Sequence, residues 1–451
     1  MATYLTRTPS STGNRDKWTF STWLKRSSLG GTHVFFAGGD SSASSFDAKF
    51  RSSDIIEVYN YLGGGYGAQL KTNRKFRDTA AWYHIVIVYD SANSTEAHRL
   101  RIYVNGEEET SFSTTNYPSL NEDSIINHAG SPTEVGRQQN GSDFFSGYLA
   151  DTILADGQAY APTTFGETDS TTGEWKPKSI SGVSFGTNGF HLKYENAGAM
   201  GTDSSGNNNT LTVISVGTNP STTDTPSNNF ITMNPLATGS RATFSKGNTR
   251  VQLNLQGSVP YGQVEFGTFA VNKGKWYFEV KNISAGGGGK MGLGINERWE
   301  TNQYFNGHNN IGSVGNALYS NQGDIKIGNG SDQTATSYTD NDIIGVAFDL
   351  DNSKVYFHKN GSYQRSGDPA NGTGGDTLTS SYNDYWTPWV TKDSTNSAHN
   401  STVEFNFGNP AFSISSNSGN GNADANGFGK FEYTVPSGYY ALCTRNLNTY
   451  G

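Results

Sequence analysis

Glu167-Thr168-Asp169 is the nearest approach in this sequence to a paired-carboxylate site. Residues two apart on a strand share a face, so Glu-x-Asp followed closely by another Glu would set an acid and a nucleophile about 5–5.5 Å apart, as retaining glycoside hydrolysis requires. Thr171 and Thr172 stand where that second Glu is needed, and the surroundings read as a polar turn. Glu107-Glu108-Glu109 follows a hairpin turn and is expected to be solvated. Gly182-Val-Ser184-Phe-Gly186 spells Gly-x-Ser-x-Gly, a motif that works only at a strand-turn-helix junction with a His and an acid to hand. Here a turn and another strand are expected instead. The Gly286–Lys290 run has Ser284 and Met291 where a phosphate loop needs a leading Gly and a trailing hydroxyl residue. The 8 His are scattered, and one Cys, Cys443, cannot build a zinc site. Enzymatic chemistry is not expected.

Recognition by side chains is better represented. Arg298-Trp-Glu-Thr-Asn-Gln-Tyr-Phe-Asn-Gly-His308 and Ser381-Tyr-Asn-Asp-Tyr-Trp-Thr-Pro-Trp389 mix flat rings with amides and carboxylates. Sugars need that mixture, rings to stack on and polar groups to bond hydroxyls. Trp299, Tyr304, His308, Tyr382 and Tyr385 are the candidate ligand-binding residues. Trp386 and Trp389 have an alternative place as core strand residues, and Trp276 is expected in the core.

The elements that must position these residues follow from composition. Gly supplies 55 of the 451 residues and charged residues 16%, against norms of roughly 7% and 25%. Aromatic residues make up 13%, and no long segment carries apolar residues at helical spacing, so the chain reads as all-β. The net charge of −8 without a basic run argues against nucleic acid. A single Cys excludes an intramolecular disulfide and suits a reducing compartment. No apolar core marks residues 1 to 21 as a secretory signal, and no run is long enough to span a membrane, so membrane insertion is not expected.

In the second half, Ile344, Val346, Phe348 and Leu350 alternate with small or polar residues, Asp351-Asn352-Ser353 turns the chain, and Val355 to His358 runs back. Asn360-Gly361 then calls for a tight turn with positive φ. This stretch resembles the central hairpin of the SPRY domain, a bent two-sheet β-sandwich. Gly274-Lys-Trp-Tyr-Phe-Glu-Val280 resembles that family's early core strand, and Gly292-Leu-Gly-Ile295 the strand that follows. The resemblance implies a binding surface made by loops at one end of the sandwich, where the two aromatic segments fall.

In the first half, Trp18–Lys25, Trp82-Tyr-His-Ile-Val-Ile-Val-Tyr-Asp90 and Leu100-Arg-Ile-Tyr-Val-Asn-Gly106 follow one another as strands. Their order, with Phe145–Asp151 closing, resembles the laminin-G-like, concanavalin A-like jelly roll. The fold expected is therefore two β-sandwiches, residues 1–165 laminin-G-like and residues 236–451 SPRY-like. Residues 166–235 form a connector with short strands at 183–185, 190–194 and 211–216, packed on the first sandwich. Sandwiches of this kind often carry a rim calcium. Of Asp40, Asp151, Asp203 and Asn207, all in or near loops, Asp203 and Asn207 are the proposed calcium residues; no other cofactor is expected.

Further segments, among them Leu5–Arg15, Phe165–Asp169, Asp203–Asn207, Asp224–Phe230 and the C-terminal Tyr433–Leu447, resemble virion proteins of marine bacteriophages that carry this jelly roll. The resemblance implies a tail-fibre or receptor-binding adhesin in the virion, assembled in the host cytoplasm and released by lysis. Its expected partners are host-surface glycan, other virion proteins and copies of itself in a trimer. A capsid decoration or head-fibre protein is the alternative, and a glycan hydrolase the weakest reading, for want of carboxylates.

Overall fold

The computed structural model describes residues 3–41, 43–139, 141, 143–214, 221–237, 242–254, 263–286, 290–297, 316–328, 330–380, 385–392 and 400–451. The chain is 45% strand and 4% helix. It divides into two compact units, Met1–Ser221 and Thr222–Gly451. The residues expected to form a connector are thus shared out between the units.

In the first unit the strands are β1 (Tyr4–Arg7), β2 (Lys17–Arg26), β3 (His33–Ser41), β4 (Ser44–Phe50), β5 (Ile55–Leu62), β6 (Gly65–Lys75), β7 (Trp82–Asp90) and β8 (Leu100–Val104). They continue as β9 (Glu107–Glu108), β10 (Phe112–Asn116), β11 (Thr133–Val135), β12 (Gly147–Asp156), β13 (Gly166–Thr168), β14 (Trp175–Pro177), β15 (Phe190–Leu192) and β16 (Thr212–Ile214). An eight-stranded sheet runs β10-β6-β5-β4-β3-β11-β1-β16, and a six-stranded sheet runs β15-β12-β2-β7-β8-β9. β15 and β16, both beyond residue 165, each supply the last strand at one edge of a sheet. Val183–Phe185, expected as a strand, is irregular chain instead.

Strand β7 explains why. Tyr83, Ile85, Ile87 and Tyr89 enter the core between the sheets. Val86 and Val88, on the opposite face, pack with Ile153 and Phe165, and half-buried Ile180, Val183 and Phe185 lie against them. An unbroken apolar strand needs cover on both faces. Residues 160–185 provide the second cover, which is why they need side-chain contact and not ladder pairing.

The second unit holds β17 (Ala242–Ser245), β18 (Arg250–Leu253), β19 (Gln263–Phe266), β20 (Lys275–Ser284), β21 (Met291–Asn296), β22 (Asn316–Ser320), β23 (Asp324–Ile327) and β24 (Gln333–Thr334). After these come β25 (Ile343–Asp349), β26 (Lys354–Lys359), β27 (Ser362–Tyr363), β28 (Asp376–Thr377), β29 (Thr387–Lys392), β30 (Ser401–Asn406), β31 (Tyr440–Ala441) and one short helix, α1 (Thr444–Tyr450). One sheet runs β17-β18-β30-β20-β25-β26-β27, with β28 on β26 and β31 on β20; the other runs β19-β29-β21-β22-β23-β24. Trp276, Phe278, Leu293, Phe348 and Phe405 fill the space between them. As in the first unit, irregular chain covers an outer face: Phe431, Tyr439 and Cys443 from the C-terminal segment pack on Tyr277 and Tyr356.

Candidate functional site

On the outer face of the eight-stranded sheet, polar residues replace the apolar ones of the core side. In β4 and β5, Phe46, Ala48, Phe50, Ile56 and Val58 face the core; Asp47, Lys49, Glu57, Tyr59 and Tyr61 alternate with them and so share the other face. Register aligns them into rows. Asp47 pairs with Tyr59 and Tyr59 with Gln69; Lys49 pairs with Glu57 and Glu57 with Lys71; Tyr61 pairs with Tyr66.

The rows form an acid–base lattice. Lys49 Nζ lies 3.1 Å from Asp47 Oδ2 and 3.9 Å from Glu57 Oε2. Arg51 and Lys71 reach Glu57 at 3.2 and 3.4 Å. Gln69 Nε2 donates to Glu57 Oε1 at 2.7 Å, Gln138 Nε2 donates to Asp47 Oδ2 at 2.8 Å, and the Tyr59 hydroxyl donates to the same carboxylate. Burial and the adjacent Asp47 raise the Tyr59 phenol well above its ordinary range, which keeps it a donor. Asp47, Lys49 and Glu57 are buried, so their charges are held by partners and not by water. At the end of the lattice Tyr66 is 52% exposed, and its ring meets Tyr59 and Tyr61 edge-on at 5.5 and 5.1 Å. What this face offers a polyhydroxylated ligand is the exposed Tyr66 ring and the partly exposed Arg51 and Lys71 side chains, which the buried carboxylates hold in place. Both carboxylates here are engaged in ion pairs.

The sequence-based candidates fare differently. Trp299, Tyr304, His308 and Tyr382 lie outside the described residues. Tyr385 is 53% exposed just before β29. Trp386 and Trp389 are buried, as is Trp276. Asp203 is committed to its own turn: Oδ1 accepts from the His191 and Ser205 amides, and Oδ2 from the Ser205 hydroxyl and the Asn209 amide. Four bonds fill about the four lone-pair sites of a carboxylate. Asn207 Nδ2 donates to the carbonyls of Gly186 and Gly189. At the expected calcium residues, the Asp203 oxygens thus accept from the amides and hydroxyl of their own turn, and Asn207 is tied to the same region through its Nδ2. Of the other two calcium candidates, Asp151 pairs with His191, while the Asp40 side chain lies outside the described residues. No three His, Cys, Asp or Glu side chains among the described residues converge as metal ligands.

The acidic and serine motifs are also structural. Asp169 accepts from Lys176 and from the Thr171 and Thr172 amides, which hold its carboxyl below the usual range and close the β13–β14 hairpin. Ser184 donates its amide to the Tyr160 hydroxyl at 2.8 Å, and the next regular element after Gly186 is strand β15. No single strand announces the Asp47–Tyr66 face, because register between strands brings its residues together. Its signal was present in phase, at Asp47-x-Lys49-x-Arg51, Glu57-x-Tyr59-x-Tyr61 and Gln69-x-Lys71.

Residues 2–159 match the family described as the concanavalin A-like lectin/glucanases superfamily, of laminin-G type, and residues 275–409 match the SPRY domain. Among solved structures, the SPRY domain of human HERC1 is similar at 17% identity, covering 38% of this chain and 96% of that one, with a TM-score of 0.29. A pentraxin from Limulus polyphemus is similar at 16% identity, covering 36% and 72%, with a TM-score of 0.27. Domains LG4-5 of the mouse laminin alpha1 chain align at 9% identity over 89% of this chain and 85% of that one, with a TM-score of 0.28. No curated protein matches the sequence. Laminin G and SPRY domains are typically binding modules, which supports a binding role. The chain carries a laminin-G-type, concanavalin A-like domain followed by a SPRY domain.

Proposed function

We propose that this chain is a non-enzymatic structural protein of a bacteriophage particle that recognises host-surface glycan. The observation that carries the binding reading is the outer face of the eight-stranded sheet, where exposed Tyr66 borders the Asp47–Lys49–Glu57–Lys71 lattice. Flat rings and fixed hydrogen-bonding groups are what saccharide recognition requires. Tyr385, exposed at the start of β29, offers the second unit a ring of the same kind. The segments that resemble phage virion proteins support the particle assignment. Other virion proteins and copies of the chain, as a trimer, are the proposed partners, and the virion the proposed location.

Capsid decoration is the second reading. Two compact units without a heptad repeat favour a module docked on another protein over a free-standing fibre. Labelled protein applied to candidate host cells separates the two. An adhesin binds cells, and Tyr66→Ala weakens it, with Trp299→Ala and Tyr385→Ala testing the loops. A protein that binds no host cell but decorates heads in labelled-virion images is a decoration protein.

A further inference from the structure

Asp151 stands where the β12–β2 ladder slips, between Ala150 and Ile153, and its backbone takes a φ of 45°. Bulges of this kind re-aim a side chain out of the regular pleat. Phe190 and Leu192 of β15 enter the core, so His191 between them faces the opposite, outer side of the six-stranded sheet. There His191 Nε2 lies 2.9 Å from Asp151 Oδ1, and the Phe185 ring lies nearly parallel to the imidazole at 6.2 Å and 14°. Residues 178–185 wall off a cleft of about 440 Å³ above this group, with Lys178, Ser181 and Lys193 also lining it. The wall is anchored by Asp156 N–H to the Phe185 carbonyl at 3.0 Å and by Ser184 N–H to the Tyr160 hydroxyl at 2.8 Å.

We infer that this cleft is a second saccharide-binding site, taking a mono- or disaccharide unit of a surface glycan. Its volume falls in the range of small-ligand pockets, roughly 300–1,000 Å³. Its lining supplies an acceptor in Asp151, donors in Lys178 and Lys193, a hydroxyl in Ser181 that does both, and one aromatic ring. The Asp151 side chain remains 40% exposed beside a nearly buried His191, so the carboxylate is oriented and still reachable. The inference rests on the glycan-binding reading and adds to it a locus on the other sheet of the same unit. Two weak sites in one unit would raise avidity for a repeating polymer.

The test is a titration of the full chain, carrying 13C-labelled histidine, with glucose, galactose, rhamnose, N-acetylglucosamine and disaccharides of each. At least one sugar is expected to move the His191 signal saturably. Asp151→Asn keeps a residue that tolerates the left-handed backbone but removes the charge, and Phe185→Leu keeps apolar packing but removes the flat ring. Each should weaken that binding about tenfold or more, with the fold kept and the melting temperature lowered by only a few degrees, as the loss of one packed ring or one hydrogen bond requires. Sugar binding that leaves His191 unmoved and both variants as tight as wild type overturns the cleft alone. No binding by wild type, to these sugars or to an array of bacterial surface polysaccharides, overturns the glycan reading and the cleft together.

Discussion

Trp175 Nε1–H donates to His84 Nδ1 at 2.9 Å, and this one bond fixes where the imidazole keeps its proton. With Nδ1 accepting, Nε2 carries the hydrogen and donates to Ser21 Oγ, 2.8 Å away. A serine nucleophile needs the reverse, a bare nitrogen to take its proton. Burial pushes the His84 pKa down to about 3, so the ring stays neutral. A fluorophosphonate probe should therefore leave Ser21 unlabelled, and mass-spectrometric detection of a Ser21 adduct would contradict the assignment. Trp175→Phe leaves His84 Nδ1 without its donor and removes part of the indole that packs on Gly106 and Gly166. It should destabilise the first unit by about 1–3 kcal/mol, read as a shift in urea midpoint.

In the second unit a directed chain of hydrogen bonds runs from a hairpin turn to the C-terminal segment. The Gly361 amide donates to His358 Nδ1, His358 Nε2–H to the Tyr277 hydroxyl, and that hydroxyl to Glu279 Oε1. Glu279 also accepts from the Glu432 and Tyr433 amides and from Asn406. Burial pushes the Glu279 carboxyl up to about 7, against these hydrogen bonds, which favour the charged form. A carboxyl with a folded pKa above its unfolded 4.5 binds its proton more tightly when folded. Its contribution is complete below about pH 4.5 and is lost as the pH rises through about 7, a loss of roughly 3 kcal/mol. The urea midpoint of the second unit should fall between pH 5 and pH 8.5. Glu279→Gln should flatten that slope at lower stability, because its amide group confronts backbone donors. A wild-type midpoint that rises over this range would contradict the account.

Gly345 pairs with His358 across the same hairpin. A Cβ at Gly345 would lie 1.9 Å from His358 Nε2, so the imidazole occupies the space a side chain would take. Gly345→Ala should cost about 1–3 kcal/mol by displacing that ring. Combined with His358→Ala, which vacates the space, the cost should be less than the sum of the two single changes. Strict additivity in thermal melts would show that the ring does not cross Gly345.

Hairpins were the most legible part of the sequence. Asn105-Gly106 and Asn360-Gly361 take φ values of 52° and 84° and of 48° and 84°, as tight turns with two left-handed residues require. Alternation identified β25 and β26, and Trp276 in the core, because those signals are local. The second cover over β7 was not legible. Val86 and Val88 show that an outer face is buried, but not that Ile180, Val183 and Phe185 bury it. The Asp47–Tyr66 face depends on register between β4, β5 and β6, which no single strand encodes. The turn at Asp203 looked like cation chemistry because carboxylates that cap amides and carboxylates that bind calcium share the same residue types.

The central claim, glycan binding without turnover, is tested most directly by incubating the full chain with an array of bacterial surface polysaccharides and assaying both retention and reducing ends. The account predicts that at least one polysaccharide retains the protein, that Tyr66→Ala lowers the retention, and that no new reducing ends appear. Release of reducing ends, or retention by none, would contradict it.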